Sequence, residues 1–149
     1  MFSIFSRSVG IAALSVVVWG LAACGESSEE KATKQACAAT KEIKTQVKKL
    51  ETLPISSSFV AEVKTSAEAI SKSVGEIKSA APKLPAANKE EFDSATRTFQ
   101  IELVSLVATT VKSSTSGEAA LKSAEPEIKA SLSKLEASYK KAYEGLGCS

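Results

Sequence analysis

Apolar residues recur three and four positions apart in four segments of this 149-residue chain, which is the spacing of amphipathic α-helices. The four stripes, in chain order, are Ala36, Thr40, Ile43, Val47 and Leu50; Val60, Val63, Ala67, Ile70, Val74, Ile77 and Ala81; Phe92, Thr96, Phe99, Leu103, Leu106 and Thr110; and Leu121, Ile128, Leu132, Leu135, Tyr139, Ala142 and Leu146. Proline, glycine and serine mark the breaks between them. The pattern predicts four helices of about 20 to 25 residues with short connectors.

Local signals predict where the later helices begin and end. Asn88 is the expected N-cap of the third helix, and Thr115 with Glu118 matches a capping box at the start of the fourth. Pro126 lacks a backbone N–H, so we expect the fourth helix to kink or split there. Gly145 is the expected C-cap of the last helix.

Helices of this length and spacing favour an all-α fold, an antiparallel up-down-up-down four-helix bundle. In that topology the start of the first helix and the end of the fourth lie at the same pole. An elongated three-helix bundle with a folded-back fourth segment is the alternative architecture. The stretch "LVSLVATTV", residues 103–111, is rich in β-branched side chains, so a strand is an alternative there.

The first 23 residues have a different character from the rest of the chain. Arg7 is their only charged side chain, and an apolar run of about 15 residues follows from Val9 to Ala23. A membrane-spanning helix usually needs about 20 residues. The layout is therefore typical of an export signal, and a permanent transmembrane anchor is the alternative.

This run ends in Leu21, Ala22, Ala23 and Cys24, and the tetrapeptide resembles the lipobox of bacterial lipoproteins. The resemblance implies that the Cys24 thiol carries diacylglycerol and that a signal peptidase removes residues 1–23. Two or three acyl chains would hold the protein durably on the extracytoplasmic face of the cell membrane. In lipoproteins of hosts with two membranes, an Asp after the cysteine is linked to retention in the inner membrane. Gly25 stands at that position here, so the resemblance implies the outer membrane in such a host. The alternative is an ordinary secretory signal cleaved near Ala23.

Assigning Cys24 to the lipid leaves Cys37 and Cys148, an even pair in an oxidising compartment. We predict that they form a disulfide at the shared pole of the bundle; the alternative is two buried thiols. The domain organisation is then a signal peptide over 1–23, a lipidated hydrophilic tether over 24–35 and a helical bundle domain over 36–149.

Composition excludes several classes of function. The 19 Lys and Arg residues are interspersed with 17 Asp and Glu residues, so a nucleic-acid partner is not expected. The chain has no histidine and its single methionine is Met1, which removes the ligands of haem and di-iron bundles. Three Ser-x-x-Lys spacings occur, at Ser28 and Lys31, Ser131 and Lys134, and Ser138 and Lys141, and serine and lysine are frequent enough to produce them by chance. We expect no enzyme, cofactor or metal site.

Tyr139 and Tyr143 lie one turn apart near the end of the predicted fourth helix. They predict either an aromatic contact patch or packing at the end of the bundle with hydroxyls in water.

The expected function is a non-enzymatic binding or assembly module of the cell envelope. Its partners would be the membrane, through the lipid on Cys24, and an envelope protein of unknown identity. The mature part loosely resembles small Lys/Ala/Ser-rich helical lipoproteins of Gram-positive actinobacteria, a resemblance that implies no activity. The alternative is a carrier of a small apolar ligand, such as a lipid, held between the helices.

Overall fold

Helices make up almost all of the chain that the structure describes, namely residues 27–84, 89–146 and 148 of a computed structural model. The α-helices are α1 (Ser28–Thr52), α2 (Ser57–Ala80), α3 (Lys89–Thr115), α4 (Glu118–Ser123) and α5 (Glu125–Tyr143), with 3₁₀ turns at Ala81–Lys83 and Glu144–Leu146. No strand occurs in these described ranges, so the predicted all-α fold is confirmed. Residues 103–111, where a strand was the alternative, lie within α3.

Helix α1 begins earlier than the apolar stripe predicts. The Ser27 hydroxyl accepts a hydrogen bond from the Glu30 backbone N–H at 3.1 Å, and Glu29 and Glu30 favour the positive helix start. Ala32 is already buried in the second turn. Residues 28–35, which we expected in the tether, therefore form the first turns of α1, while residues 24–26 lie outside the described residues.

The expected break near Pro126 is confirmed as a split between α4 and α5 at Ala124. Pro126 occupies the first turn of α5, where its missing N–H costs no helical hydrogen bond. The predicted C-cap at Gly145 is wrong, because α5 passes through Glu144 into a 3₁₀ turn that contains this glycine. Asn88, the expected cap of α3, lies outside the described residues.

The predicted capping box of Thr115 and Glu118 is also wrong. The Thr115 hydroxyl donates to the Lys112 carbonyl oxygen at 2.7 Å, within the last turn of α3, and so does not cap α4. Gly117 stands at the N-cap of α4 with a φ of 92° and makes no side-chain cap. The turn between the two helices thus rests on the backbone freedom of this glycine.

The predicted stripes meet in one core. Ile43, Ile70, Leu106 and Leu135, one from each long helix, are fully buried. Burying each such side chain is worth about 1.5 to 3 kcal/mol. Partly buried apolar residues pack against this core, namely Leu53, Ile55, Val60, Ala67, Phe92, Val107, Ala124 and Leu146.

Helix α1 packs along α2, and α3 packs along α5, more extensively than any other pair of elements. Polar contacts mark the ends of these helices. Lys49 near the end of α1 pairs with Glu62 in the first turns of α2, and Lys78 near the end of α2 donates to Gln100 of α3 at 2.8 Å.

Candidate functional site

A disulfide joins the start of the domain to its end. The Cys37 and Cys148 sulfur atoms are 2.07 Å apart and the two Cα atoms 5.2 Å apart, across a sequence separation of 111 residues. The predicted pairing is therefore confirmed. Cys24, the predicted lipidation site, lies outside the described residues, so its lipid stays a prediction.

Small side chains surround the end of the bundle where Cys37 and Cys148 are joined, which we call the stapled pole. Ala32 and Ala36 of α1 and Ala80 of α2 form a second buried cluster, against which Leu84 and Leu146 are packed. Alanine lets the helix backbones approach closely, so this cluster fixes the start of α1 on the domain. The first turns of α1 are thus part of the packed structure.

Four aromatic rings form a cluster between α3 and α5. Phe99 contacts Tyr139 and Tyr143 in edge-to-face geometry at centroid distances of 6.5 and 5.5 Å, and Phe92 contacts Tyr143 at 6.1 Å. Tyr139 is 5% exposed and Tyr143 0% exposed. The two tyrosines therefore pack inside the bundle, as one of the two expectations had it, and do not form a surface contact patch. The expectation that both hydroxyls reach water is wrong.

The Tyr143 hydroxyl and its neighbour, the Thr96 hydroxyl, are buried without a hydrogen-bond partner among the described residues. Burial raises the pKa of Tyr143 to about 12, although the neighbouring Thr96 hydroxyl favours the ionised phenol and so opposes the shift. Burial also raises the pKa of Tyr139, and the negative charge of Glu144 raises it further. Both phenols are therefore neutral at ordinary pH and unsuited to act as nucleophile or base.

Three charged side chains, Glu51 of α1 and Glu136 and Lys140 of α5, form a surface ion cluster where the two helices meet. Lys140 pairs with Glu136 at 2.9 Å, and this hydrogen bond lowers the pKa of Glu136. Partial burial raises the pKa of Glu51, and the neighbouring Glu136 carboxylate raises it further. Two neighbouring carboxylates whose pKa values shift in opposite directions are typical of acid-base sites. Glu51 and Glu136, however, lie beside a surface lysine and not in a cleft.

An apolar groove runs between α2 and α3. It has a volume of about 700 Å³ and is lined by Lys64, Ala67, Glu68 and Ser71 of α2 and by Leu103, Val104, Val107, Ala108 and Val111 of α3. We call this the α2–α3 groove. Val104 of this lining is 67% exposed, and Ile101, one turn earlier on α3, is 61% exposed.

The apolar stripes did not predict this groove, although the sequence carried a signal for it. From Thr98 to Val111 the chain carries one charged residue, Glu102. A helix with only one stripe in the core needs polar residues on its remaining faces. The shortage of charge in α3 therefore indicated a second apolar surface.

Other kinds of site find no support in the described part of the chain. It contains no group of three or more histidine, cysteine or acidic residues that could hold a metal ion. None of its helices combines the length and apolar character needed to cross a membrane. In the Ser131 and Lys134 pair, the serine is buried and the lysine is exposed.

Comparisons of the chain with protein families, with curated proteins and with solved structures found no match.

Proposed function

We propose that this protein is a lipoprotein, anchored by acyl chains on Cys24 to the extracytoplasmic face of the bacterial cell membrane, where it acts as a non-enzymatic binding or assembly module. In a host with two membranes, the outer membrane is the proposed location. The observation that carries the proposal is the bond between Cys37 and Cys148. Stable disulfides belong to oxidising compartments, so the bond favours export. It also leaves Cys24, at the end of the apolar run, as the remaining cysteine.

We further propose that the long helices alternate up and down, with α4 and α5 together as the fourth. The ion pair between Lys49 and Glu62 joins the end of α1 to the start of α2, as expected for a helical hairpin. The Cys37 bond to Cys148 brings the end of the chain back to the first helix. In this arrangement the stapled pole faces the membrane.

The start of α1 supports a short distance between lipid and domain. Four residue steps separate Cys24 from Ser28, the first residue of α1. A fully extended chain of this length spans about 14 Å. The domain would thus stand directly on the headgroup region rather than on a long tether.

A binding role is supported by the contrast between the polar clusters and the groove. The shifted pKa values belong to buried tyrosines and to a surface ion cluster, neither of which holds the paired acid and base of an active site. The α2–α3 groove is apolar and open, and apolar surfaces of this kind often contact partner proteins.

The test is lipid labelling of the full chain in a bacterial host with alkyne-tagged palmitate. We expect label on the wild-type protein and none on Cys24→Ser. The matched control is the double variant Cys37→Ser with Cys148→Ser, which lacks the staple but should keep the label. Label retained in Cys24→Ser, or a mature mass that includes residues before Cys24, would contradict the proposal.

A second candidate is a carrier of a small apolar ligand, and the aliphatic lining of the α2–α3 groove favours it. It predicts that the purified protein carries lipid in stoichiometric amount, detectable by native mass spectrometry. The variant Ala108→Glu should lose that lipid. Protein that is free of lipid in both forms would eliminate this candidate.

A further inference from the structure

The residues that follow α5 form a short segment across the stapled pole. The 3₁₀ turn Glu144–Leu146 continues from α5, and Cys148 then bonds to Cys37 of α1. We call Glu144–Leu146 together with Cys148 the strap. Leu146 packs against the main core and also against the second buried cluster, which alanines of α1 and α2 form. The strap therefore joins the two clusters at this pole.

We propose that the strap is a redox switch. The bond between Cys37 and Cys148 holds it closed, and reduction of that bond releases it while the helical core stays folded. Release uncovers the alanine cluster at the stapled pole and frees the Cys148 end of the chain. The switch goes beyond the proposed function and does not depend on the lipid.

Side-chain packing alone holds the strap weakly. Leu146 is only partly buried, and Glu144 and Gly145 are exposed. Hydrophobic stabilisation is proportional to the apolar area removed from water, so the strap gains little from it. The Glu144 backbone N–H donates to the Lys140 carbonyl oxygen and so belongs to the end of α5. Opening would therefore begin at Gly145, and the bond to Cys37 is the main restraint on the residues beyond it.

Gly145 stands where the strap would hinge, and the closed strap does not require a glycine there. No atom lies within 4 Å of the position that its Cβ would take, and its φ lies outside the left-handed region. Glycine loses more conformational freedom on ordering than any other residue. Its presence therefore favours the open strap, and a second glycine, Gly147, follows Leu146 in the sequence.

The helical core has contacts of its own that do not pass through the bond. The buried residues of α1 that follow Cys37, among them Ile43 and Val47, belong to the main core. Both cysteines are half-buried, at the edge of the packed structure. Reduction therefore removes a restraint at this edge and leaves the interior contacts in place. Partial exposure also gives a reductant access to the sulfur atoms, as thiol exchange requires.

The reductant that fits this chemistry is a dithiol, such as the paired cysteines of a thiol oxidoreductase. One thiolate of the dithiol attacks the Cys148 sulfur, which lies beyond the last turn, and forms a new S–S bond with it. The bond to Cys37 breaks, and the Cys37 sulfur leaves as a thiolate that takes up a proton. The second thiol of the donor then attacks the mixed disulfide and releases Cys148, which is protonated in turn. The donor ends as a disulfide, and the protein has gained two electrons and two protons.

The experiment is hydrogen–deuterium exchange of the full chain extracted from the producing cells, oxidised and after treatment with dithiothreitol. Exchange reports local opening around each backbone amide. We expect the amides of Gly145 and Leu146 to exchange about tenfold faster or more after reduction. The amides of Ile43, Leu106 and Leu135 should keep their protection. Removing the dithiol and reoxidising the protein should restore slow exchange in the strap.

Variants separate the bond from the reductant and test the hinge. The double variant Cys37→Ser with Cys148→Ser should show the fast strap exchange without dithiothreitol and should not respond to it. Gly145→Ala should leave the oxidised strap unchanged and slow the exchange of the Leu146 amide several-fold in the reduced chain, because alanine restricts the open segment. Its matched control is Gly75→Ala in α2, which also has open space around it and should leave strap exchange unchanged.

Two outcomes would overturn the proposal. One is equal strap exchange in the oxidised and reduced chains, and the other is faster exchange throughout the helices, since reduction would then unfold the domain. Repeating the experiment with Cys24→Ser separates this proposal from the lipoprotein proposal. A strap that opens on reduction in a chain never labelled by lipid would retain the switch and remove the anchor. Lipid labelling with a strap that ignores the dithiol would do the reverse.

Discussion

The Tyr139 hydroxyl donates a hydrogen bond of 3.3 Å to the backbone carbonyl oxygen of Thr40, which lies 99 residues earlier in the chain. One turn later on α5, the Tyr143 hydroxyl is buried without such a partner. Two tyrosines of the same helix therefore contribute to stability in opposite ways. A satisfied hydroxyl stabilises modestly, whereas an unsatisfied buried hydroxyl is a cost.

We accordingly expect Tyr139→Phe to lower the free energy of unfolding by about 1 kcal/mol. Tyr143→Phe should leave it unchanged or raise it by up to about 1 kcal/mol, because it removes the unpaired oxygen and keeps the ring. Urea denaturation followed by circular dichroism measures both variants. Equal destabilisation by the two substitutions would show that the Tyr143 hydroxyl has a partner in solution.

Alkaline pH should destabilise the protein through Tyr143. Its pKa in the folded state is raised to about 12 by burial, above the ordinary value of 10.0. The stabilising contribution of the neutral phenol is therefore complete below pH 10 and is lost as the pH rises through about 12. The loss is on the order of 2 kcal/mol.

The measurement is the free energy of unfolding at several pH values between 9 and about 12. Tyr143→Phe is the matched variant, and its stability should fall less steeply over this range than that of the wild type. Parallel curves for the two proteins would assign the alkaline loss to other groups.

Loss of the staple should weaken the whole domain. The bond between Cys37 and Cys148 closes a loop with a sequence separation of 111 residues, which restricts the unfolded chain strongly. Replacing both cysteines by alanine should lower the free energy of unfolding by about 2 to 5 kcal/mol. Comparing thermal unfolding of the oxidised wild type with its reduced form controls for the substitutions, and identical transitions would contradict the expectation.

Two glycines provide a matched pair of substitutions with opposite expected signs. Gly75 lies inside α2 with open space around it, so Gly75→Ala should raise the free energy of unfolding by roughly 0.5 to 1 kcal/mol. Gly117 has a φ of 92°, which alanine adopts only with strain, so Gly117→Ala should lower it by about 1 kcal/mol or more. Thermal melts of both variants test the pair. Stabilisation by Gly117→Ala would mean that the turn between α3 and α4 rearranges.

Much of the fold could be predicted because burial in a helix leaves a periodic trace. The stripe from Ala36 to Leu50 is buried at each of its five positions in α1. Phe59 and Tyr143 were outside the predicted stripes, yet both are buried. Phe59 lies four residues before Val63, and Tyr143 lies four residues after Tyr139, so both fit the helical spacing. Their neighbours Val60 and Ala142 fit it as well, and periodicity alone does not choose between adjacent positions.

The helix ends and the groove were harder to predict, for different reasons. From the local sequence, the Thr115 hydroxyl could bond to the backbone at the end of α3 or cap the start of α4. In the structure it bonds at the end of α3. The α2–α3 groove depends on how Ala67 and Val107, which are distant in sequence, are spaced across two helices. A pattern along one helix indicates an uncovered apolar face, as it did around Val104, but does not give the distance to the next helix.

The disulfide also determines how the protein would respond to tension. A pull applied between the start and the end of the chain is carried by the bond between Cys37 and Cys148, so the stretch between them, at a sequence separation of 111, bears no load. Among the described residues, only the turns of α1 that precede Cys37 can be drawn out. The described domain would therefore be nearly inextensible while its surroundings stay oxidising, and only after reduction could a pull unfold the helices between the two cysteines.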